Sequence, residues 1–247
     1  MTNLKTDELQ IAWTSGLGDP LPSGLDAYMG VSFSKTRYFS RPVMARYVEW
    51  ACARFQEFLL IVADHLEIHN LRVFRNLSLE EATAHATQTG DQLRHAYEHA
   101  VPPLLRPRVT IRLASEILAE PGCAGALAFL GRIAEREERF RSGLRTAVVE
   151  SLAGKLRAAR LKGAPREAAL DTLQNYMLEE LAIILYVTRL APRRHSVSIF
   201  PYRPQQVILD LHSGSYADLF SELTGGEPFR AIELIPGARA ATARAGS

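Results

Sequence analysis

Residues 25–32 read LDAYMGVS and residues 58–63 read FLLIVA. Each is a short apolar run that stops at a polar residue, Ser32 in the first case and Asp64 in the second. Strands apolar on both faces belong inside a parallel sheet covered on both sides. Between them Pro42 sits where the first turn of a helix accepts proline, and the spacing predicts a helix to about Phe55, with Val43, Arg46/Tyr47, Trp50 and Phe55 roughly on one face.

The pattern repeats outward. Residues 109–113 (VTIRL) alternate as a third strand, residues 196–200 (SVSIF) form a fourth and residues 229–235 (FRAIELI) a last. Ser78 with Glu81 forms a capping box for a helix to Ala100, which Pro102-Pro103 ends. Residues 120–162 read as helix with breaks near Gly143 and Gly154, residues 163–166 as a turn, and residues 166–190 as a long apolar helix ending at Pro192. Residues 205–223 read as helix, with a strand over 207–211 as the alternative. The alternation of strand and helix makes this an α/β fold with a parallel sheet flanked by helices. Active sites in such folds lie beyond the carboxyl ends of the strands. The residues following the strands, Ser32, Asp64 and Tyr202, therefore carry most of the functional interest.

Residues 1–24 contain Ser15-Gly16, Gly18-Asp19-Pro20 and Pro22 and read as a flexible lead-in, residues 25–236 as one domain, and residues 237–247 (GARAATARAGS) as a disordered tail. A chain of 247 residues with 47% hydrophobic and 23% charged residues can close a core without staples. The formal charge of +2 excludes a histone-like or acidic disordered protein. Cys52 and Cys123 show no CxxC spacing and read as buried thiols of a reducing compartment. The N-terminus lacks an apolar signal core and the longest apolar stretch, residues 181–187, is too short to span a bilayer. A cytoplasmic protein with no membrane or DNA partner is the expectation.

Three features could carry chemistry. Ser32 stands at a strand end without the GxSxG pattern of α/β-hydrolases, and neither GxGxxG nor GKS/T is present to bind a nucleotide. A serine there is otherwise an ordinary turn residue. Tyr176 and Glu180 are four apart on one helical face, and Glu180 enters the apolar run LAIILYV. With Glu179 on the solvent side, Glu180 is free to point inward, where a buried carboxylate suits an ammonium group; snorkelling outward is the commoner fate of such a residue. Tyr202, between Pro201 and Arg203-Pro204, can donate a hydrogen bond, relay a proton or pack across the sheet edge. Seven histidines invite a metal, but even His95 and His99, four apart, lack the second pair of an HExxH site, so no metal is expected.

Taken together, MGVS with YFS at 38–40, Trp50 and FLLIVADH, then Tyr176-x-x-x-Glu180 and Tyr202 after a strand, resemble the cyclodipeptide synthases over about residues 25–235. The resemblance implies a Rossmann-like sheet akin to the catalytic domain of class I aminoacyl-tRNA synthetases, two aminoacyl-tRNAs as substrates, no ATP and no cofactor, and a monomer. By it Ser32 would accept the first aminoacyl group, Tyr176 and Glu180 would hold its α-amino group, the second aminoacyl-tRNA would donate its amine to give a dipeptidyl-enzyme, and Tyr202 would assist proton transfer on cyclisation. The first side-chain pocket would be lined by Tyr28, Leu60, Val62, Ile183 and Phe200, bulky enough to favour a small residue; the second would hold Lys35, with Arg203 near it, and favour an acidic one. Lys35, three residues after the serine, replaces an Asn and marks the subgroup lacking it. The longer loop leaves Ser34 as a second candidate nucleophile, Pro204 falls one position late, and Glu180-Leu181-Ala182 lacks the usual proline.

The surface for tRNA departs most. The helix that is strongly basic in better-known members has here only Arg94 and three histidines. Residues 139–166 instead hold Arg139, Arg141, Arg145, Lys155, Arg157, Arg160, Lys162 and Arg166 against the single acid Glu150. That imbalance makes them the expected phosphate-binding face. Two other classes compete. A nucleotide-dependent synthetase needs HIGH-like and KMSKS-like segments, and HLEIHN at 65–70 is only an echo. A non-catalytic tRNA-binding protein would need the basic face but not Ser32.

Overall fold

A computed structural model describes residues 9–18, 20–33, 38–159, 163–224 and 229–236. The strands are β1 Leu9–Ser15, β2 Ala27–Val31, β3 Phe58–Val62, β4 Val109–Leu113, β5 Val197–Phe200 and β6 Arg230–Pro236, in the order β1-β6-β5-β2-β3-β4. β6, β5, β2, β3 and β4 run parallel, as the doubly apolar strands require, and β1 closes the edge antiparallel to β6. From β2 the chain winds one way to β3 and β4 and later the other way to β5 and β6. The boundary between β2 and β5 is therefore the switch point of the sheet, where a crevice opens beyond the strand ends.

The helices are α1 Arg41–Cys52, α2 Asp64–Arg75, α3 Leu79–Ala100, α4 Ala114–Leu118, α5 Pro121–Arg136, α6 Glu138–Ala158, α7 Gly163–Leu185, α8 Gln206–Ser213 and α9 Ala217–Thr224. Strand alternation divides the core in two. Ala27, Met29 and Val31 with Phe58, Leu60 and Val62 face α1 and the end of α3, while Tyr28, Leu59 and Ile61 face α5, α6, α7 and α8. The pairing of Tyr28 with Leu59 and of Gly30 with Ile61 sets this division. α3 begins at the expected box: the Ser78 oxygen accepts from Glu81 N–H at 3.2 Å and Glu81 accepts from Ser78 N–H at 2.8 Å. Cys52 and Cys123 are buried and unpaired. Among the described residues no helix is long and apolar enough to cross a membrane.

Several boundaries differ from the sequence reading. Residues 9–15 are a strand rather than lead-in; Ile11 is 42% exposed, so backbone pairing to β6 holds this edge where apolar burial gives a weak signal. The helical stretch from 120 breaks at Glu137, whose backbone is extended, and Gly143 and Gly154 lie inside α6. Gly143 lets the Tyr216 hydroxyl approach: a Cβ there would collide with it. The expected turn at 163–166 is already α7, and residues 186–190 continue it as one π-helical turn. Residues 205–223 are helical apart from the link between α8 and α9. The tail at 237–247 lies outside the described residues.

Asp64, which follows β3, has a structural partner. It begins α2, is 2% exposed, and accepts hydrogen bonds from Ser115 N–H at 3.0 Å and from the Ser115 hydroxyl. The carboxylate thereby joins the end of β3 to the start of α4. Asp64→Ala leaves the Ser115 amide without this partner, and we expect a loss of about 2–3 kcal/mol and a fall in Tm of roughly 4–12 °C. Thermal denaturation with an unchanged midpoint would contradict this role.

Candidate active site

Ser32 follows β2 directly and Tyr202 lies two residues beyond β5, so the two strands flanking the switch point deliver them to one crevice. α7 crosses the same opening and adds Tyr176 and Glu180, one turn apart. These four side chains line a single cleft with Tyr28, Ile183 and Phe200. Gly30, on the face of Tyr28, belongs to its floor: a Cβ there would meet no atom within 4 Å. Tyr202 is held by aromatic neighbours from the far end of the loop after Ser32, its ring 5.2 Å from that of Tyr38 and 6.5 Å from that of Phe39.

Glu180 sets the electrostatics. Burial first, and then its charge, hold the Tyr176 and Tyr202 hydroxyls well above the ordinary phenol range. Burial does the same to Tyr28, opposed by the hydrogen bond that its oxygen accepts from Ser198 Oγ at 2.7 Å. Around this carboxylate the phenols stay protonated, so they donate hydrogen bonds rather than abstract protons at rest. Buried Arg189, its guanidinium 4.6 Å from the ring centre of Phe229, opposes the effect of Glu180 at Tyr28.

Glu179 departs from expectation. It faces α2 rather than solvent, with Oε2 at 2.9 Å from His69 Nε2 and Oε1 at 3.7 Å from His65 Nε2. The two histidines are four apart and hold the helix turn that carries Tyr176 and Glu180. Burial alone would raise the Glu179 carboxyl, but its contacts with His65 and His69 bring it below the usual range. The contact with Glu179 raises His65. The i, i+4 spacing of His65 and His69 was the available signal for this contact; what it lacked was the partner on α7.

Of the expected first-pocket residues, Tyr28, Ile183 and Phe200 line the cleft. Leu60 and Val62 do not: both are 0% exposed on the opposite face of the sheet. One residue along a strand reverses the face, and Ile61, Ala63 and Leu66 take their place. Arg203 is exposed and acts on the carboxyl of Glu233. Lys35 and Ser34 lie outside the described residues.

Four of the eight cations of the basic stretch stand in ion pairs. Arg139 pairs with Asp218, Arg141 with Glu138, Arg145 with Glu167 and Asp171, and Arg166 with Glu167. The count of eight against one stopped just short of Glu138 and Glu167, and the fold brings Asp218 back from α9. Arg160 and Lys162 lie outside the described residues. Arg157 is exposed, and Lys155 Nζ sits 5.6 Å from the ring centre of Phe74 on α2. His95 and His99 meet edge to face on α3 with ring centres 4.3 Å apart. Among the described residues no three His, Cys, Asp or Glu side chains are disposed to hold a metal ion.

A family model described as cyclodipeptide synthase matches residues 12–215. No curated protein sequence matches the chain. Its fold is similar to a cyclodipeptide synthase from Fluoribacter dumoffii, with 15% identity, 85% of this chain and 89% of that one covered, and a TM-score of 0.67. It is similar to the cyclodipeptide synthase from Candidatus Glomeribacter gigasporarum bound to Phe-tRNAPhe, with 17% identity, coverage of 87% and 88%, and a TM-score of 0.55. It is also similar to the tyrosyl-tRNA synthetase of Archaeoglobus fulgidus, with 14% identity, coverage of 87% and 56%, and a TM-score of 0.51.

The histidine–glutamate contact has a pH signature. A raised His65 adds stability that is complete below its unfolded value and fades as pH climbs through the folded one. A lowered Glu179 adds stability present above its unfolded value and lost as pH falls through the folded one. Thermal melts of wild type and His65→Ala should therefore differ most near pH 6 and converge toward pH 8. The exposed histidine limits the difference to below about 1 kcal/mol. A gap that widens with rising pH would exclude the contact as its source.

Proposed function

The chain belongs to the cyclodipeptide synthase family, and we infer that it condenses two aminoacyl-tRNAs into a diketopiperazine by ping-pong acyl transfer through Ser32. The observation that carries this reading is the meeting of Ser32, Tyr176, Glu180 and Tyr202, from separate segments of the chain, in one cleft. An aminoacyl ester is already activated, so the protein needs no phosphate loop and no ATP. Its task is to place an amine against an ester and to manage protons. Such substrates place the work in the cytoplasm.

In the first step Ser32 Oγ attacks the ester carbonyl, the Ser32 ester forms, and the tRNA ribose oxygen leaves with a proton. Glu180, with Tyr176 one turn away, holds the α-amino group of the bound residue. For the dipeptide to remain on Ser32, that bound amine must attack the ester of the second aminoacyl-tRNA. Were the second aminoacyl-tRNA to donate its amine instead, the dipeptide would depart on its tRNA. The order of attack is therefore the reverse of the one the resemblance implied. The new terminal amine then attacks the seryl ester and the ring closes; Tyr202, kept protonated, passes a proton to the departing Ser32 oxygen and takes one from the amine as the amide forms.

The free volume of the cleft is about 60 Å³, walled by Tyr28 and Phe200. That is room for a few waters and supports a small first residue. Lys35 in the loop after Ser32 and Arg203 after Tyr202 are the basis for an acidic second one, as in cyclo(Ala-Glu). A purely tRNA-binding role would need the basic face but would not account for the convergence of Ser32, Tyr176, Glu180 and Tyr202 in one cleft.

Wild type incubated with aminoacyl-tRNA labelled in the amino acid should retain covalent label, and Ser32→Ala none; undiminished label on Ser32→Ala would overturn the assignment and point to Ser34. Tyr202→Phe should acylate normally but release cyclic product roughly 10²–10⁴-fold more slowly, read as accumulated acyl-enzyme in rapid-quench experiments. Mass spectrometry of medium from expressing cells should show a small residue beside Glu or Asp. A product of two large apolar residues would reject that specificity.

A further inference from the structure

Glu179 and His69 meet across α7 and α2 at the border of the cleft. Glu179 precedes Glu180 on α7, and Leu66, which lines the cleft, stands three residues before His69 on α2. The two helices pack on one another. A bond at this point sets both the spacing of α7 from α2 and the rotation of α7 about its own axis. That rotation decides where Glu180 points, because consecutive residues are about 100° apart around a helix.

The bond is covered and has one direction. His69 is 9% exposed, the Glu179 side chain is 13% exposed, and Nε2 lies 2.9 Å from Oε2. The carboxylate only accepts, so Nε2 carries the hydrogen. His69 Nδ1 is buried and meets no hydrogen-bond partner among the described residues. A proton there would find no acceptor, so the ring serves as a single donor through Nε2. An unmet buried nitrogen is costly, and leucine would fill much of this space without one. What the imidazole adds over an apolar side chain is its one N–H on Glu179. His65 lies farther off, at 3.7 Å, on a side chain 41% exposed, and holds Glu179 more weakly.

Resting on the reading of Glu180 as the carboxylate that holds the α-amino group, we propose that His69 is a positioning residue for amine recognition. By donating to Glu179 it locks the rotation of α7 that aims Glu180, and Tyr176 one turn earlier, into the cleft. The hydrogen bond supplies this hold, and the charge of Glu179 is not needed for it. A misplacement of about 1 Å at such a contact can cost roughly 10²-fold. Ser32 follows β2, so the placement of the acyl acceptor does not depend on α7. The effect of His69 therefore reaches the substrate through its amine and not through its ester.

Alanyl-tRNA, which suits a small first residue, and its α-hydroxy counterpart lactyl-tRNA differ only in the group that Glu180 would hold. The readout is the ratio of their second-order rate constants for labelling Ser32. Wild type should favour the amine by roughly 10–100-fold, the worth of a hydrogen bond to a charged group. His69→Leu should erase most of that ratio, with the loss falling on alanyl-tRNA alone. Glu179→Leu, which removes the acceptor from the other helix, should do the same. His69→Gln, whose amide can donate from a similar place, and Glu179→Gln, whose amide oxygen can accept, should both keep the preference. An unchanged ratio in the two leucine variants, an equal loss on both substrates, or a ratio lost in Glu179→Gln would overturn the proposal. Glu180→Gln reports separately on the underlying reading and should abolish the ratio. If it does so while His69→Leu keeps the ratio, only the positioning role falls; if Glu180→Gln keeps the ratio, or wild type shows none, the assignment of Glu180 to the amine falls first.

Discussion

Parallel pairing of β2 with β3 on one side and β5 on the other places two strand ends, and the residues that follow them, side by side. A parallel strand cannot return directly to its neighbour, so helices must make the crossovers and cover both faces. α7 is the element before β5, and it passes over the opening between β2 and β5. Ser32, Tyr202 and the Tyr176–Glu180 turn are thus neighbours because of strand order. Their separation along the chain has no bearing on it.

The second requirement is a carboxylate inside that opening. Glu180 lies among three phenols whose protons are held by burial and by its own charge. The adjacent Glu179 is turned the other way and tied to His65 and His69 of α2. Two consecutive acids therefore have different work. One holds the helix to its neighbour, and the other presents charge to the cleft. Helical periodicity separates consecutive residues by about 100°, which makes this division possible.

Much of this was legible. Apolar runs and alternating segments located all five strands of the parallel sheet, and the spacing of Tyr176 and Glu180 placed both on one helical face. The edge strand β1 was not legible, because exposed residues paired only through backbone leave little apolar pattern. Leu60 and Val62 were assigned to the wrong face because register between strands is set by how β2 and β3 dock. Glycine was misread in α6: Gly143 permits contact with Tyr216 rather than ending the helix. The charge count over residues 139–166 was incomplete for a related reason. Acids just outside the window, and Asp218 from α9, fold onto the arginines.

By itself the sequence determined which residue types stand at strand ends and helical faces, since hydrophobic period and capping are local properties. Only the tertiary structure decided which face of β3 lines the cleft, which acids pair with Arg139, Arg141, Arg145 and Arg166, and that Glu179 turns to His65 and His69. Those depend on pairing register and helix docking, which bring together residues distant in the chain.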